Sequence, residues 1–359
     1  MALRRKHPCG AAASRAAGRL KPILQELCIT LEIKTATIAP VRHTYANIAR
    51  RFGEKPATRY QEATYDAQAT ANFHYRPLWQ PQKELNDKHH TALEMADWYA
   101  LRDPRQFYYG AYVQNRARMQ DAAEHNYAFF EKRDLAGFIG EEARKAVVFG
   151  LLPLRHVEQT ANLNHMSGAA YGYGTAITQA CLYAGMDRMG MAQYLSRIGL
   201  LLDGNSGQSL AEAKEIWMSH PAWQGVRALC EEMLVEQDWF ALLWVQALLA
   251  DSHIRQIFYT GLEQALAGQG ARDMAMLTEF MHDCLKDISA WSDSVFKAAA
   301  AESEANRALL AGWLEKWQPQ VAAAYGEVAE ALLGDAAEGA MSAAAEEIGK
   351  RAAKAGVAV

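Results

Sequence analysis

The eleven histidines are where metal or acid–base chemistry would first show in this sequence. A pair of metal ions inside a helical bundle takes a Glu from each of two helices and a Glu-x-x-His from each of two others. Those residue types are needed because carboxylates and imidazoles hold the metal and leave positions open for a reactant. Only His282 has a glutamate three residues before it, Glu279. One such pair where two are required argues against an internal two-metal site. The pair is also badly aimed. Met274, Leu277, Met281, Leu285, Ile288, Trp291 and Val295 form the apolar stripe of the same predicted helix. At about 100° per residue Glu279 lies nearly opposite that stripe and His282 roughly 120° from it. Both are therefore expected to face solvent or a partner.

Other candidates read as ordinary structure. His89-His90 sits in a polar loop beside Asp87 and Lys88 and reads as a surface pair. Glu124 and His125 are adjacent, so they diverge around a helix and cannot chelate together. His156 and Glu158 follow Pro153 at a predicted helix start, where capping or a polar contact is expected. The run Gly168 to Gly174 is glycine-rich but lacks the Lys-Ser/Thr signature of a phosphate loop, so close helix packing is its reading. No Gly-x-Ser-x-Gly nucleophile motif occurs. The five cysteines are scattered and contain no Cys-x-x-Cys, which points to reduced thiols in a cytoplasm and away from a disulfide framework or a cysteine zinc site. No catalytic constellation emerges.

The elements that would position side chains follow from proline spacing and periodicity. With 359 residues, half of them apolar, a large core is possible, and a net charge of −4 gives no reason to expect nucleic acid or anionic membrane. The longest apolar run, Phe240 to Ala250, is about half of the roughly 20 residues a spanning helix needs. Residues 1–30 are basic and acid-poor. They resemble a targeting presequence, but a disordered extension or a start set too far upstream is the reading preferred here. Between residues 31 and 100, Pro40, Pro56, Pro77 and Pro81 interrupt a segment rich in rings, which predicts an extended arm laid along a partner or the body. Nine tryptophans and fifteen tyrosines are read slightly in favour of interfaces over core. After Asp103-Pro104, an expected N-cap and first helical residue, only Pro153 and Pro221 precede Pro319. Helices are predicted at about 105–133, 141–165, 169–202, 208–218, 222–250, 252–267 and 272–300, with one or two alanine-rich outer helices over 303–352. The fold class is all-α.

Several long strings carry a resemblance. Arg102 to Gln120, Arg51 to Glu62, Asn72 to Trp79, Gln193 to Gly204 and Met276 to Met281 closely resemble the β subunit, or P1 component, of bacterial multicomponent phenol hydroxylases. The likeness spans about residues 31–320 and leaves out both ends. It implies a ferritin-like bundle over 101–302 that lacks the metal ligands of a related α subunit. It implies an α2β2γ2 hydroxylase whose di-iron centre lies in α, an NADH reductase carrying FAD and an iron–sulfur cluster, and a small regulatory protein. Together these would convert phenol and methylphenols to catechols with O2. This chain itself would hold no cofactor and scaffold its partner in the cytoplasm. The alternatives are the β subunit of a toluene or benzene monooxygenase, or a self-sufficient di-iron oxidase. Candidate partner contacts are Arg59, Tyr60, Tyr75, Trp79, Arg105, Phe107, Tyr108, Tyr109 and Tyr112.

Overall fold

Helices without a strand make up the architecture seen in a computed structural model that describes residues 44–70, 76 and 81–357. Two short helices come first, α1 (Ala46–Phe52) and α2 (Arg59–Thr64). Thr58 and Gln61 start α2 with reciprocal side-chain bonds to each other's backbone, so two amides that the helix would leave bare are satisfied. Ile48, Tyr60 and Tyr65 close a small core of their own here, with Tyr99 and Tyr108 packed against it.

The body runs α3 (Tyr109–Lys132), α4 (Glu141–Ala146), α5 (Leu154–Tyr171), α6 (Thr175–Leu202), α7 (Gln208–Ser219) and α8 (Pro221–Val235). It continues with α9 (Trp239–Trp244), α10 (Asp251–Ile254), α11 (Leu262–Gly268), α12 (Ala275–Glu302), α13 (Glu304–Leu333) and α14 (Ala337–Ala355). From α9 to α11 the helix is continuous in direction but passes through two wider π-type stretches, Val245–Ala250 and Arg255–Gly261. A third such stretch, Val147–Leu151, joins α4 toward α5.

The predicted boundaries differ from these in ways that local chemistry explains. Asp103 does not begin a long helix. Its carboxylate instead accepts from the Arg105 backbone (2.8 Å) and side chain, and the turn ends at Gln106, whose φ of 55° is left-handed. The helix starts at Tyr109. A break falls at Gly172–Gly174, where Gly174 takes φ 91° that a side chain would resist. Another falls before Asp238, whose carboxylate caps α9 through the amides of Phe240 and Ala241.

α5 and α6 lie side by side along their lengths, with small residues at the contact. A Cβ on Gly168 would sit 2.7 Å from the Cys181 sulfur. Seven of the eight described tryptophans are buried, so these rings belong to the core and the leaning toward interfaces fails for them. Each large apolar side chain so placed contributes roughly 1.5–3 kcal/mol. Although alanine-rich, α14 is anchored: the Arg351 guanidinium donates to Asp293 (2.8 Å) and to the hydroxyls of Ser252 and Ser292, while Glu347 receives Arg255 and Gln256. No described helix is long and apolar enough to cross a membrane.

Because the α5–α6 contact has no spare volume, Gly168→Ala should destabilise the chain by about 1–3 kcal/mol, read as a lower melting temperature. Adding Cys181→Ala should return much of that loss. A Gly168→Ala protein that melts with wild type would show that the contact relaxes freely.

Candidate functional site

At the centre of the body a guanidinium is sealed between two carboxyl groups. Arg188 of α6 is fully buried, as are Glu158 of α5 and Asp251 of α10. The guanidinium donates through Nη1 to Glu158 Oε2 (3.2 Å) and through Nη2 to Asp251 Oδ2. Gln246 donates to the other Asp251 oxygen (2.9 Å), and Asn164 of α5 donates to Gln246 (3.0 Å). Each partner comes from a different stretch of helix, so the network ties α5, α6 and the α9–α11 helix together. A buried ion of either sign is costly unless paired and hydrogen-bonded, and here pairing meets that cost.

Charge counting adds a proton. One guanidinium faces two carboxylates away from water. Asp251 is bonded at both oxygens, whereas Glu158 Oε1 has no hydrogen-bond partner among the described residues. Burial pushes Glu158 up to about 7, with Arg188 opposing and Asp251 adding to the rise, so it holds a proton well above the usual carboxylate range. The buried His165, on the same helix, goes the other way. Burial drives it down to about 4, and Nδ1 is bound to the Ala161 carbonyl at 2.7 Å.

Of the capping or polar contact expected for Glu158, the structure shows the polar contact: Glu158 caps nothing, and it is buried in the core with its carboxyl on Arg188. Its neighbour in that expectation, His156, is half-buried and stacks on Trp217 at 5.3 Å, with its pKa lowered to about 4 by burial. Glu279 is exposed. His282 meets Glu263 of α11 (3.0 Å) and not Glu279, and that hydrogen bond raises its pKa. His90 is buried, against the reading of a surface pair, with Nε2 at the Glu84 carbonyl (2.8 Å), while His89 stays outside with Asp87. No group of three or more His, Cys, Asp or Glu converges as metal ligands among the described residues.

The nine candidate contact residues separate by burial. Tyr75 and Trp79 lie outside the described residues. Tyr60, Phe107 and Tyr112 are buried within the chain's own packing. The Tyr60 hydroxyl accepts from the Asp103 amide, and Tyr112 stacks on Tyr183 at 4.4 Å while donating to Asp187 (2.9 Å). These three turn inward because each hydroxyl or ring finds an internal partner. Arg105 is mostly covered, held by Asp103 and lying over Phe107, and Tyr108 is half-buried. Arg59 is exposed, and Tyr109 is 69 % exposed. Tyr109 and Val113 are four apart on α3, and exposed Leu182, Met186 and Met189 lie at helical spacing on α6, which α3 meets through Tyr112 and Asp187. Between these helices and α12 opens a cavity of about 330 Å³, walled by Arg116, Asp187, Tyr194 and Phe280 among others.

Helices arranged around an inward carboxylate on each of two of them describe a ferritin-like subunit whose centre carries an arginine. The chain belongs to the methane/phenol/alkene hydroxylase family, whose profile matches residues 79–303. It is 61 % identical over 305 residues, covering 85 % of this chain and 92 % of its relative, to the oxygenase component MhpL of phenol 2-monooxygenase from Acinetobacter pittii (strain PHEA-2). It is 50 % identical over 309 residues to the oxygenase component DmpL of phenol 2-monooxygenase from Pseudomonas sp. (strain CF600), covering 86 % of this chain and 93 % of that one. A crystal structure of xenon-pressurized phenol hydroxylase from Pseudomonas sp. OX1 contains a chain similar to it with a TM-score of 0.86 and 48 % identity, over 91 % of this chain and 99 % of that chain.

A di-iron pair of the ferritin-like kind does not fit these residues. A guanidinium stands between the inward carboxylates and repels a second cation, and none of the buried residues of α12 is a carboxylate or imidazole.

Glu158 and His165 have opposite effects on stability. The raised Glu158 stabilises the fold fully below pH 4.5, and that contribution is lost as pH rises toward 7. The depressed His165 costs stability as pH falls from 6.5 toward 4. The stability difference between wild type and Glu158→Gln should shrink by about 3 kcal/mol from pH 4.5 to 7.5, measured by urea unfolding at each pH. A difference constant with pH would mean that Glu158 stays ionised.

Proposed function

We propose that this chain is the non-metal-binding β subunit of a multicomponent phenol hydroxylase, bracing a larger di-iron subunit that hydroxylates phenol and methylphenols to catechols. The observation that carries the reading is high identity, sustained over more than nine-tenths of two relatives, with oxygenase components of phenol 2-monooxygenase. The buried Arg188 supports a bracing role, because a cation fixed between Glu158 and Asp251 occupies the place between the two carboxyls that iron would need. On this reading the partners are the large α and small γ subunits in an α2β2γ2 assembly. A regulatory protein and an NADH reductase with FAD and an iron–sulfur cluster complete the system in the cytoplasm.

Partner contact falls to the exposed residues among the candidates, Arg59 and Tyr109, extended by Val113, Leu182, Met186 and Met189. Clustered exposed apolar side chains on two neighbouring helices are what a subunit interface requires. The buried Tyr60, Phe107 and Tyr112 shape that face from beneath. A β subunit of a toluene or benzene monooxygenase remains the second reading within the same class, since substrate choice would lie in the α pocket.

Purification from the native host should bring down a larger iron-bearing chain and a small third one. A chain that purifies alone, well folded and indifferent to any such partner, ends the proposal. Metal analysis of the isolated chain should give iron near zero, and stoichiometric iron would favour a self-sufficient oxidase. Met186→Asp combined with Met189→Asp should cut recovery of the large subunit at least tenfold in a pull-down while leaving the chain's own melting temperature within a few degrees. Co-expression with phenol- and toluene-type α subunits, followed by catechol assay, separates the two substrate readings.

A further inference from the structure

Ferritin-like metal centres draw single carboxylates from two helices and Glu-x-x-His from two others. In this chain the single carboxylates are present, Glu158 on α5 and Asp251 on α10, and both point at one buried place. On α6 the residues at Glu-x-x-His spacing that face the same core are Arg188 and Met191, both with no exposed surface. On α12 the buried face offers Met281, Cys284, Leu285, Ile288 and Trp291, none of them a carboxylate or imidazole. Two of the anions such a centre would use are thus in place, and the chain supplies its own cation from the helix that would carry one ligand pair.

Two independent features mark the same place. Asp251 begins a four-residue α-helical turn flanked on both sides by π-type stretches, a distortion concentrated at functional sites in helical proteins. Three buried polar atoms here, Glu158 Oε1, Arg188 Nε and His165 Nε2, have no hydrogen-bond partner among the described residues. Purely structural cores rarely leave such atoms bare. With Nδ1 bound to the Ala161 carbonyl, His165 Nε2 presents a lone pair.

We infer that Arg188 is a built-in substitute for the metal: its guanidinium holds the cation position of the bundle and keeps divalent ions out of a site whose carboxylates would otherwise attract them. This inference deepens the non-metal-binding reading proposed above and rests on it. The consequence for a cell is specific. A chain that folds beside an iron-loading relative keeps its own core closed to iron, and its stability does not depend on metal supply.

Rebuilding the ligand pair tests the coincidence of the two positions. In the full-length chain, Arg188→Glu combined with Met191→His should bind about one equivalent of cobalt(II), seen as visible ligand-field absorption and a rise in melting temperature on cobalt addition, where wild type shows neither. A folded double variant that takes up no cobalt overturns the inference. If that variant does not accumulate, Arg188→Ala supplies the second measurement. It should melt well below wild type and regain at least half of the loss on adding methylguanidinium, but not potassium chloride at equal ionic strength. An Arg188→Ala protein as stable as wild type, or one that methylguanidinium does not restore, also overturns it. Wild-type chain that itself carries stoichiometric metal would instead sink the functional reading beneath, so the two failures are told apart.

Discussion

A guanidinium without water must have anions at fixed positions, and that requirement organises the middle of this molecule. Arg188 comes from α6, and its two carboxylates come from α5 and α10, so the arginine can be satisfied only when all three are in register. Such a network adds less net stability than its gross Coulomb energy, because each ion gave up its hydration. Its effect is on specificity: slide α5 by one turn and a charge is left alone in an apolar core. The Gln246 and Asn164 amides extend the same constraint, each placed where its alternative is an unpaired buried dipole. Apolar packing around it, including four fully buried tryptophans, supplies the bulk of the stabilisation and the low dielectric that makes the constraint strict.

The same logic recurs nearer the surface with less severity. Arg116 of α3 joins Asp187 of α6 through two bonds and Asp287 of α12 through a third (2.6–2.8 Å). Arg351 and Arg255 similarly fasten α14 to the core. Arginine serves at each of these nodes because its planar fork can donate to two helices at once, which a lysine ammonium does with less geometric control. Helices joined by polar nodes in this way are held in register, because sliding one of them would strand a charge.

Much of this was legible from residue order, and the parts that were not share one cause. Proline spacing and periodicity gave the long helices. The Glu279–His282 test worked for Glu279 because a stripe such as Leu277, Met281 and Ile288 points one way, and a residue opposite it must be outside. The buried triad has no local signature, because its members are 30 and 63 residues apart in the chain. A signal did exist. Arg188 lies on the stripe of Ala184, Met191 and Leu195, at offsets of −4, +3 and +7, where a charge has no business unless it is paired. Asp251 likewise follows directly on an apolar run broken only by Gln246. Misplaced charges on helical stripes, more than motifs, would have located this centre. Tyr60, Phe107 and Tyr112 misled in the reverse sense: rings in a polar neighbourhood read as surface, yet each found an internal stacking or hydrogen-bond partner that one-dimensional order does not display.

A helical bundle with inward carboxyl groups and no metal between them has few ways to balance its core. Retaining inward carboxylates with nothing between them leaves like charges in a low dielectric, which costs more than either ion alone. Deleting all of them demands several coordinated apolar replacements that must also fill the vacated volume. Inserting one long cation between them meets both requirements in a single position: it offsets charge and occupies space. Glu158, Arg188 and Asp251 have the composition and burial of that solution. The flanking π-type stretches are then understood as register adjustments that let Asp251 reach the guanidinium from a helix otherwise wound to bury Trp244 and Phe258.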